Sequence, residues 1–429
     1  MMRTVMPRWP LRVLTFLLVS AFVLTACDNA GVDPTEPEVM PESEDVTSVE
    51  DPPFEKGLPT LNRSRCTVIT GTPQEAADAA SPGDVVCVKD GTYDALTIST
   101  PGLTVTSLRL GQATIQGSGE PISSAVRILA DGVTFTGFGV TFPGGLIGIS
   151  VGPNVNDVTI RKNWVHDIGP TGRLGVTGII TDGGNTGITI EYNIVEQLRN
   201  EFTSDTGFPT VNGIFANDDR ADGFSGSVIR RNLVRRLFSD NAALGILLQG
   251  TVQDVSVEKN LVFRLSADPD NDSNEADDSR VYDENLDNGY DGTSLLTFAQ
   301  GVNVDASSTS NLAITRNVIA FVRATSFNGE SVKVDSGAEG LAVTFNDLRA
   351  EVGLANGTDT PFDATCNYWG HPKGPRIVPN NPAADDGPNR QRRSALVGDA
   401  DVQPWLVRSV LTGFNIQKAC VGGRGNGSR

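Results

Sequence analysis

The sequence is poor in the residues that commonly bind transition metals. It has two histidines and five cysteines in 429 residues, and no Cys-x-x-Cys or Cys/His spacing suited to zinc. Beyond its N-terminal stretch it has no apolar run long enough to cross a bilayer. Basic residues are also outnumbered, with 34 Lys and Arg against 52 Asp and Glu. We therefore expect no nucleic-acid partner and no organic cofactor.

The chain is rich in one short repeated pattern. Alternating apolar residues, an Asn and a further apolar residue recur in VTIRKNWV, ITIEYNIV, SVIRRNLV, VSVEKNLV, LAITRNVI, LAVTFNDL and DATCNYWG. The asparagines are Asn163, Asn193, Asn232, Asn260, Asn317, Asn346 and Asn367, and Phe138 takes the same place in an earlier copy. Apolar alternation predicts strands, and a recurring strand with a fixed turn residue predicts a solenoid. Because Asn tolerates left-handed backbone, we expect it to form the bend and to hydrogen-bond from coil to coil.

A second series of short strands begins near a glycine, upstream of most of these asparagines. Its members are Gly148 to Val151, Gly178 to Thr181, Gly213 to Ala216, Gly245 to Leu248 and Gly301 to Val304, with Ser331 to Val334 continuing it. Two or three strands per turn of about 22 to 30 residues build a coil of a parallel β-helix. The chain thus resembles the right-handed parallel β-helix superfamily with the pectin-lyase-like fold. We predict an all-β, single-stranded right-handed parallel β-helix over residues 62–415, followed by a tail over 416–429.

The two ends of the repeat support the same architecture. Residues 72–80 predict a short helix, with Thr72 and Glu75 as a capping box and Pro73 at the first helical position. Such a helix would cover the open apolar end of the first coil. CNYWGHPKGP and VGDADVQPWL resemble the closing coil of many β-helix proteins.

The N-terminus reads as an export signal. Arg3, Arg8 and Arg12 precede an apolar run, and Leu24 to Cys27 reads as a lipobox. The resemblance to bacterial lipoproteins implies that residues 1–26 are removed and that Cys27 is lipidated, which anchors the chain to a bacterial membrane on the periplasmic side or at the cell surface. The alternative is an ordinary signal peptide with an incidental cysteine.

The cysteines agree with export. Without Cys27 four remain, and we expect the disulfides Cys66–Cys87 and Cys366–Cys420, one in each cap.

The net charge of −18 is concentrated in two segments. Residues 28–58 and 268–291 each hold ten acids and one basic residue. The first lies in residues 27–61, which we interpret as a disordered tether between membrane and domain. The second lies in an insertion over 266–297, where Asp268, Asp270, Asp272 and Asn274 alternate as calcium ligands would. The insertion lacks the glycine and glutamate of an EF-hand, and the alternative is a disordered acidic loop.

Strand alternation indicates which side chains of the glycine series point outward. One outward row is Ser150, Ile180, Phe215, Leu247, Asn303 and Lys333, and a second is Gly152, Asp182, Asn217, Gln249, Asp305 and Asp335. We interpret Ile180, Phe215, Leu247, Asn217, Gln249, Asn303, Asp305 and Asp335 as a polysaccharide-binding surface. The alternative for the aspartates is that they merely begin turns.

The resemblance also bears on catalysis. Pectate-lyase-like proteins use this sheet for calcium and a polyuronide, which implies Asp182, Asp218, Lys333 and Arg220 as candidate catalytic residues. The chain lacks the GHG and RxK motifs of the galacturonan-hydrolase branch, so an enzyme here would more plausibly be a lyase than a hydrolase. Lys333 and Arg220 sit in no recognisable lyase motif.

Two further features have ordinary explanations. The residues before the repeat asparagines form a basic and aromatic stripe of Lys162, Tyr192, Arg231, Lys259, Arg316 and Phe345, which could bind an anionic polymer or be a plain solvated turn face. His166 could act as an acid or base, but most such histidines are surface residues.

The sequence thus favours a membrane-tethered, monomeric β-helix protein that binds polysaccharide or cell-envelope glycan. Whether it also cleaves its ligand stays open. The alternatives are a calcium-dependent polyuronide lyase and a non-catalytic envelope or adhesion-type protein.

Overall fold

A computed structural model of the chain describes residues 65–118, 124–170, 175–201, 210–216, 223–267, 297–324, 329–335, 337–378, 394–406 and 409. These residues form a parallel β-helix, as expected from the repeats. Each coil contributes one strand to each of three sheets, and every strand pair in these sheets is parallel.

The first sheet holds the strands that precede the repeat asparagines. Its described strands are Val68–Thr70, Val85–Val88, Thr104–Ser107, Thr134–Thr136, Thr159–Arg161, Thr189–Glu191, Val228–Arg230, Ser256–Glu258, Leu312–Thr315 and Leu341–Thr344. The second sheet holds the strands that follow the asparagines. Its described strands are Gly91–Tyr93, Ala113–Gln116, Gly139–Pro143, Trp164–Gly169, Ile194–Asn200, Leu233–Ser239, Leu261–Ala267, Val318–Ala324 and Asp347–Leu348.

The third sheet holds the glycine series and the longest strands. Its described strands are Leu96–Ile98, Ser124–Ile128, Ile147–Val151, Val176–Thr181, Thr210–Ala216, Ala242–Gln253, Phe298–Ser310, Glu330–Val334, Val352–Asn356, Ala395–Val397 and Arg376–Val378, with Phe224–Ser225 paired beside them. Its inward row of Ile149, Ile179, Ile214, Ile246, Val302 and Val332 is in register and fully buried. Full burial of each such side chain contributes about 1.5–3 kcal/mol, so the stack is a large part of the core.

The repeat asparagines form a continuous hydrogen-bonded ladder, which confirms the coil-to-coil bonding expected of them. The Oδ1 of each accepts from the backbone N–H of the preceding Asn at 2.8–3.0 Å and from its Nδ2 at 3.0–3.1 Å. Phe138 begins the ladder, because its backbone N–H donates to Asn163.

The expected bend is displaced by one residue. The left-handed backbone belongs to the residue before each Asn, with φ of 53–60° at Lys162, Tyr192, Arg231, Lys259, Arg316, Phe345 and Cys366. The Asn side chain is needed for the ladder, and its neighbour turns the chain.

The glycines of the third sheet form a second ladder with a steric cause. A Cβ on Gly213 would lie 2.5 Å from the carbonyl oxygen of Gly245 and 2.5 Å from Val234 Cγ1. Gly148, Gly178, Gly245 and Gly301 face equally close neighbours. Because the glycine and the residue after it both face the core, two inward positions follow each other and the simple alternation is broken.

A helix over Pro73–Ala79 covers the N-terminal end of the solenoid, as expected. Its Ala77 joins the core. The amide of Gln74 pairs with Thr97 in both directions, at 3.0 Å as donor and 2.7 Å as acceptor, so it completes the edge of Leu96–Ile98. The capping box was wrong, because Thr72 makes no side-chain cap and its hydroxyl lies 3.1 Å from that of Thr70.

The disulfide Cys66–Cys87 is present as expected. Cys366 is disulfide-bonded as well, and its expected partner Cys420 lies outside the described residues. The signal peptide, Cys27, the tether and the C-terminal tail over 416–429 also lie outside them. Within the described part of the chain, no helix has both the length and the apolar character to cross a membrane.

Candidate functional site

The outer face of the third sheet carries two rows of side chains in register. The outer row expected from the sequence is present, and it begins one coil earlier and ends one coil later. This row, here called row two, is Arg127, Ser150, Ile180, Phe215, Leu247, Asn303, Lys333 and Ala355. A row that alternation alone did not indicate lies beside it, on the other side of the glycines. This row one is Ser124, Ile147, Thr177, Asn212, Leu244, Gln300, Glu330 and Val352.

The missed row follows from the two consecutive inward positions at each glycine. Strict alternation puts the residue before the glycine inside, but the core-facing glycine shifts it outside. Leu244 and Leu247 illustrate this, because both are buried yet neither belongs to the core cluster. The available signal in the sequence was the recurrence of a glycine directly before the inward residue in five successive coils.

The outer face changes character along the solenoid. Its middle is apolar, with Ile180 and Phe215 half-buried beside Leu244 and Leu247. At one end, residues of the last coils close it with a small apolar cluster of Val352, Ala355 and Ala395. Between these two regions the face is polar.

Three buried amide oxygens on the outer face of the third sheet have no hydrogen-bond partner among the described residues. They are Oδ1 of Asn212, Oε1 of Gln300 and Oδ1 of Asn303. Each of these residues is less than 8% exposed. A buried acceptor without a partner costs about 1–3 kcal/mol. These oxygens therefore lower the stability of the fold, and they are candidate acceptors for hydrogen bonds from a ligand.

Glu330 is the half-buried carboxyl of the polar region. Its Oε2 accepts a hydrogen bond from Gln300 Nε2 at 2.7 Å. Desolvation by burial raises the pKa of Glu330, and the negative charge of Asp335 adds to this, while Lys333 and the bond from Gln300 act in the opposite direction. A carboxyl with a raised pKa can hold a proton nearer neutral pH, which is the property of a general acid.

Asp305 and Asp335 extend the polar region on neighbouring coils. Gln249 donates to Asp305 at 3.0 Å, and Lys333 Nζ lies 3.6 Å from Asp335. Desolvation, then the charge of Asp335, raises the pKa of Asp305, and the bond from Gln249 lowers it. Asp305 is exposed to solvent, which screens its charge more than the charge of Glu330. We call Asp305, Glu330, Lys333 and Asp335 the acidic cluster.

The structure separates the candidate catalytic residues that it describes. Asp182 follows the strand Val176–Thr181, and Lys333 lies on Glu330–Val334, with three strands between. Four strand spacings amount to about 19 Å, so these two side chains do not form one catalytic pair. Asn217, Asp218 and Arg220 lie outside the described residues.

The same holds for the expected calcium ligands Asp268, Asp270, Asp272 and Asn274, which fall in a range that is not described. Among the residues that are described, no group of three His, Cys, Asp or Glu could hold a metal ion. The acidic cluster by itself is therefore not a metal site.

The two remaining sequence features are engaged in local contacts. His166 stacks on Trp164 at 3.8 Å and its Nδ1 lies 2.6 Å from Asp167. In the basic stripe, Arg231 lies over the ring of Tyr192 at 5.2 Å. The adjacent Arg230 pairs with Glu191, so part of the positive charge beside the stripe is offset.

No family model and no curated protein sequence matches this chain. Solved structures with similar folds include an alginate lyase from Paenibacillus sp. str. FPU-7, with 14% identity, a TM-score of 0.39, and coverage of 69% of this chain and 99% of that one. Pectate lyase Pel9A has 14% identity and a TM-score of 0.41, covering 78% and 72%. The GH136 lacto-N-biosidase from Eubacterium ramulus has 13% identity and a TM-score of 0.42, covering 79% and 68%. At these identities the likeness extends to the general fold alone.

Proposed function

We propose that this protein is an exported, membrane-tethered β-helix protein that binds a polysaccharide across the outer face of its third sheet. The ligand would run along the solenoid, over Ile180 and Phe215 and on to the polar region at Asn303. Lipidation of Cys27 would tether the protein, and residues 27–61 would hold the solenoid away from the membrane.

The proposal depends on the composition of this outer face. The face combines an apolar, partly aromatic strip with three buried amide oxygens that have no partner in the described residues. Sugar sites need this combination, because the ring faces are apolar and the hydroxyls require oriented polar partners. Because neighbouring strands are about 4.8 Å apart, these side chains lie in a line along the solenoid, which suits a linear polymer.

Cleavage is a second candidate function, favoured by the acidic cluster. Glu330 has a raised pKa and Lys333 lies one spacing from Asn303 in the same row. These groups could supply an acid and a base to a bound polymer. We expect calcium only at the insertion with Asp268, Asp270, Asp272 and Asn274.

A binding assay with the full chain tests the proposal. Insoluble or immobilised polysaccharides of neutral, amino and uronic-acid classes would be incubated with wild type, Phe215→Ala and Phe321→Ala. Phe321 is the matched control, because it is 42% exposed on a strand of the second sheet. We expect Phe215→Ala to weaken binding about tenfold, as loss of a stacked ring does, and Phe321→Ala to bind as wild type.

The same incubations separate binding from cleavage. Ultraviolet absorbance detects the unsaturated product of a lyase, and new reducing ends detect hydrolysis. Product that disappears in Lys333→Ala and Glu330→Gln would establish an enzyme, whereas binding without product would establish a binding protein. Equal losses in Phe215→Ala and Phe321→Ala, or no binding to any polymer, would refute the proposed face.

A further inference from the structure

Three buried side chains on the outer face of the third sheet have an atom with no hydrogen-bond partner among the described residues, and these atoms are all of one kind. Asn212, Gln300 and Asn303 each present a carbonyl oxygen, and each side chain is more than nine-tenths buried. A carbonyl oxygen accepts hydrogen bonds and cannot donate them. A ligand that satisfies these groups must bring O–H or N–H donors.

The orientation of the central amide is determined by its neighbour. Gln300 Nε2 donates to Glu330 Oε2 at 2.7 Å. Turning the amide over would place its oxygen against the carboxylate, losing a hydrogen bond and adding repulsion. The Gln300 oxygen is therefore directed away from Glu330, and no described residue donates a hydrogen bond to it.

The charges of the acidic cluster also favour a ligand that donates hydrogen bonds and carries no negative charge. Three of its members are acids, and its lysine is already 3.6 Å from Asp335. Burial raises the pKa of Asp305 and of Glu330, and the negative charge of Asp335 adds to both shifts. A carboxylate on the ligand would add to this negative charge and would find mainly acceptors.

We infer that this face takes a neutral, hydroxyl-rich polysaccharide and rejects polymers of uronic acids. The inference rests on the proposed function, because it concerns the same face. Neutral sugar hydroxyls donate to the three amide oxygens and to the carboxylates, whereas each uronate exchanges a donating hydroxymethyl group for two charged acceptors. Specificity of this type comes from groups that are left unpaired by the wrong ligand.

Matched polymers test this directly. Polygalacturonate, alginate and hyaluronan would each be compared with its own carboxyl-reduced form, which keeps the backbone linkages and loses the charge. Binding of the full chain would be measured by titration in a chelator and again with calcium. We expect at least one reduced polymer to bind at least tenfold more tightly than its parent in both conditions. A parent that binds as tightly as its reduced form, with or without calcium, would overturn the inference.

Two variants connect the result to these residues. Asn303→Leu should weaken binding of the reduced polymer about tenfold, since it removes one acceptor, without lowering the melting temperature. Asp305→Asn with Asp335→Asn should narrow the discrimination against the parent polymer, whereas Asp78→Asn on the capping helix should leave it unchanged. Unchanged binding in Asn303→Leu would overturn the role of the amides. Failure of every polymer, neutral or acidic, would instead refute the proposed function itself.

Discussion

At the scale of single residues, two sets of buried amides in this solenoid differ in how they are satisfied. Asn232 donates to Ile190 O at 2.9 Å and to Asn260 Oδ1 at 3.0 Å, and it also accepts two bonds from Asn193. The Oδ1 of Asn303 has no partner in the described residues. The ladder amides such as Asn232 stabilise the fold. The outer-face amides such as Asn303 lower its stability, and we expect them to accept hydrogen bonds from a ligand.

This difference predicts opposite outcomes for the same substitution. Asn232→Leu orphans the backbone N–H of Asn193 and the carbonyl of Ile190, and at about 1–3 kcal/mol each it should destabilise by roughly 3 kcal/mol. Asn303→Leu removes a group that is already unpaired, so stability should be unchanged or higher. Denaturant unfolding of both variants measures this, and similar losses in the two would contradict the assignment.

Glu330 predicts a pH dependence of stability. Its folded pKa is raised above the ordinary value of 4.5, mainly by desolvation, so the folded state binds this proton more tightly than the unfolded state. The penalty is absent well below pH 4.5, grows as the pH rises from there, and is complete above the raised pKa. Glu330→Gln, which keeps the size and can accept from Gln300, should raise the melting temperature at pH 7, and the gain should vanish at low pH.

Glu75→Gln on the capping helix is the matched control for that experiment, because Glu75 is exposed. It should change the melting temperature little at any pH. A gain in Glu330→Gln that persisted at low pH would show that desolvation of the charge is not its cause.

At the scale of elements, the third sheet depends on the absence of side chains at one position per coil. A Cβ on a ladder glycine would lie 2.4–2.7 Å from a backbone carbonyl oxygen of the next coil. This holds for Gly148, Gly178, Gly213, Gly245 and Gly301, and the oxygen that faces Gly301 belongs to Ser331. Ser331 takes the same place in the following coil, and its Oγ accepts a hydrogen bond from Ala350 N at 3.0 Å.

Gly213→Ala tests the glycine ladder. Its Cβ would be 2.5 Å from a backbone oxygen and from Val234 Cγ1, and overpacking of this kind costs about 1–3 kcal/mol. Gly71→Ala is the matched control, because its Cβ would meet nothing within 4 Å. We expect a clear fall in the midpoint of unfolding for Gly213→Ala only, and equal midpoints for the two variants would contradict the steric account.

Much of the element pattern could be predicted from the sequence, because period-two apolar residues and a repeated Asn each have a direct physical meaning. Row one could not be predicted by alternation, since the core-facing glycine and the residue after it occupy two consecutive inward positions. Glu330 and Gln300 were missed for this reason. The capping box failed because a neighbouring threonine, Thr70, engages the hydroxyl of Thr72, and sequence spacing does not show that competition.

At the scale of the whole molecule, we propose a glycan-binding solenoid that lies outside the cytoplasmic membrane. Each of the two acidic segments carries a net charge of −9, so together they account for the net charge of −18 and the rest of the chain sums to zero. Such a solenoid gains little from general attraction to anionic polymers, and recognition must come from local groups such as Asn303 and the acidic cluster.

The tether gives a prediction at this scale. If Cys27 is lipidated, Cys27→Ser should leave the signal uncleaved or release the protein from the membrane fraction. Fractionation with immunodetection measures this, and a shift in mobility on the gel reports the cleavage. An unchanged distribution and mobility would contradict the lipid anchor and favour an ordinary signal peptide.

A polysaccharide that binds across the outer face of the third sheet should shield the side chains of that face from solvent. Hydroxyl-radical footprinting of the full chain, with and without the polymer that binds most tightly in the titrations, tests it most directly. We expect the polymer to protect Ile180 and Phe215 from oxidation and to leave the oxidation of Trp164 and Phe321 on the second sheet unchanged. Protection of Trp164 and Phe321 with no change at Ile180 and Phe215 would contradict it.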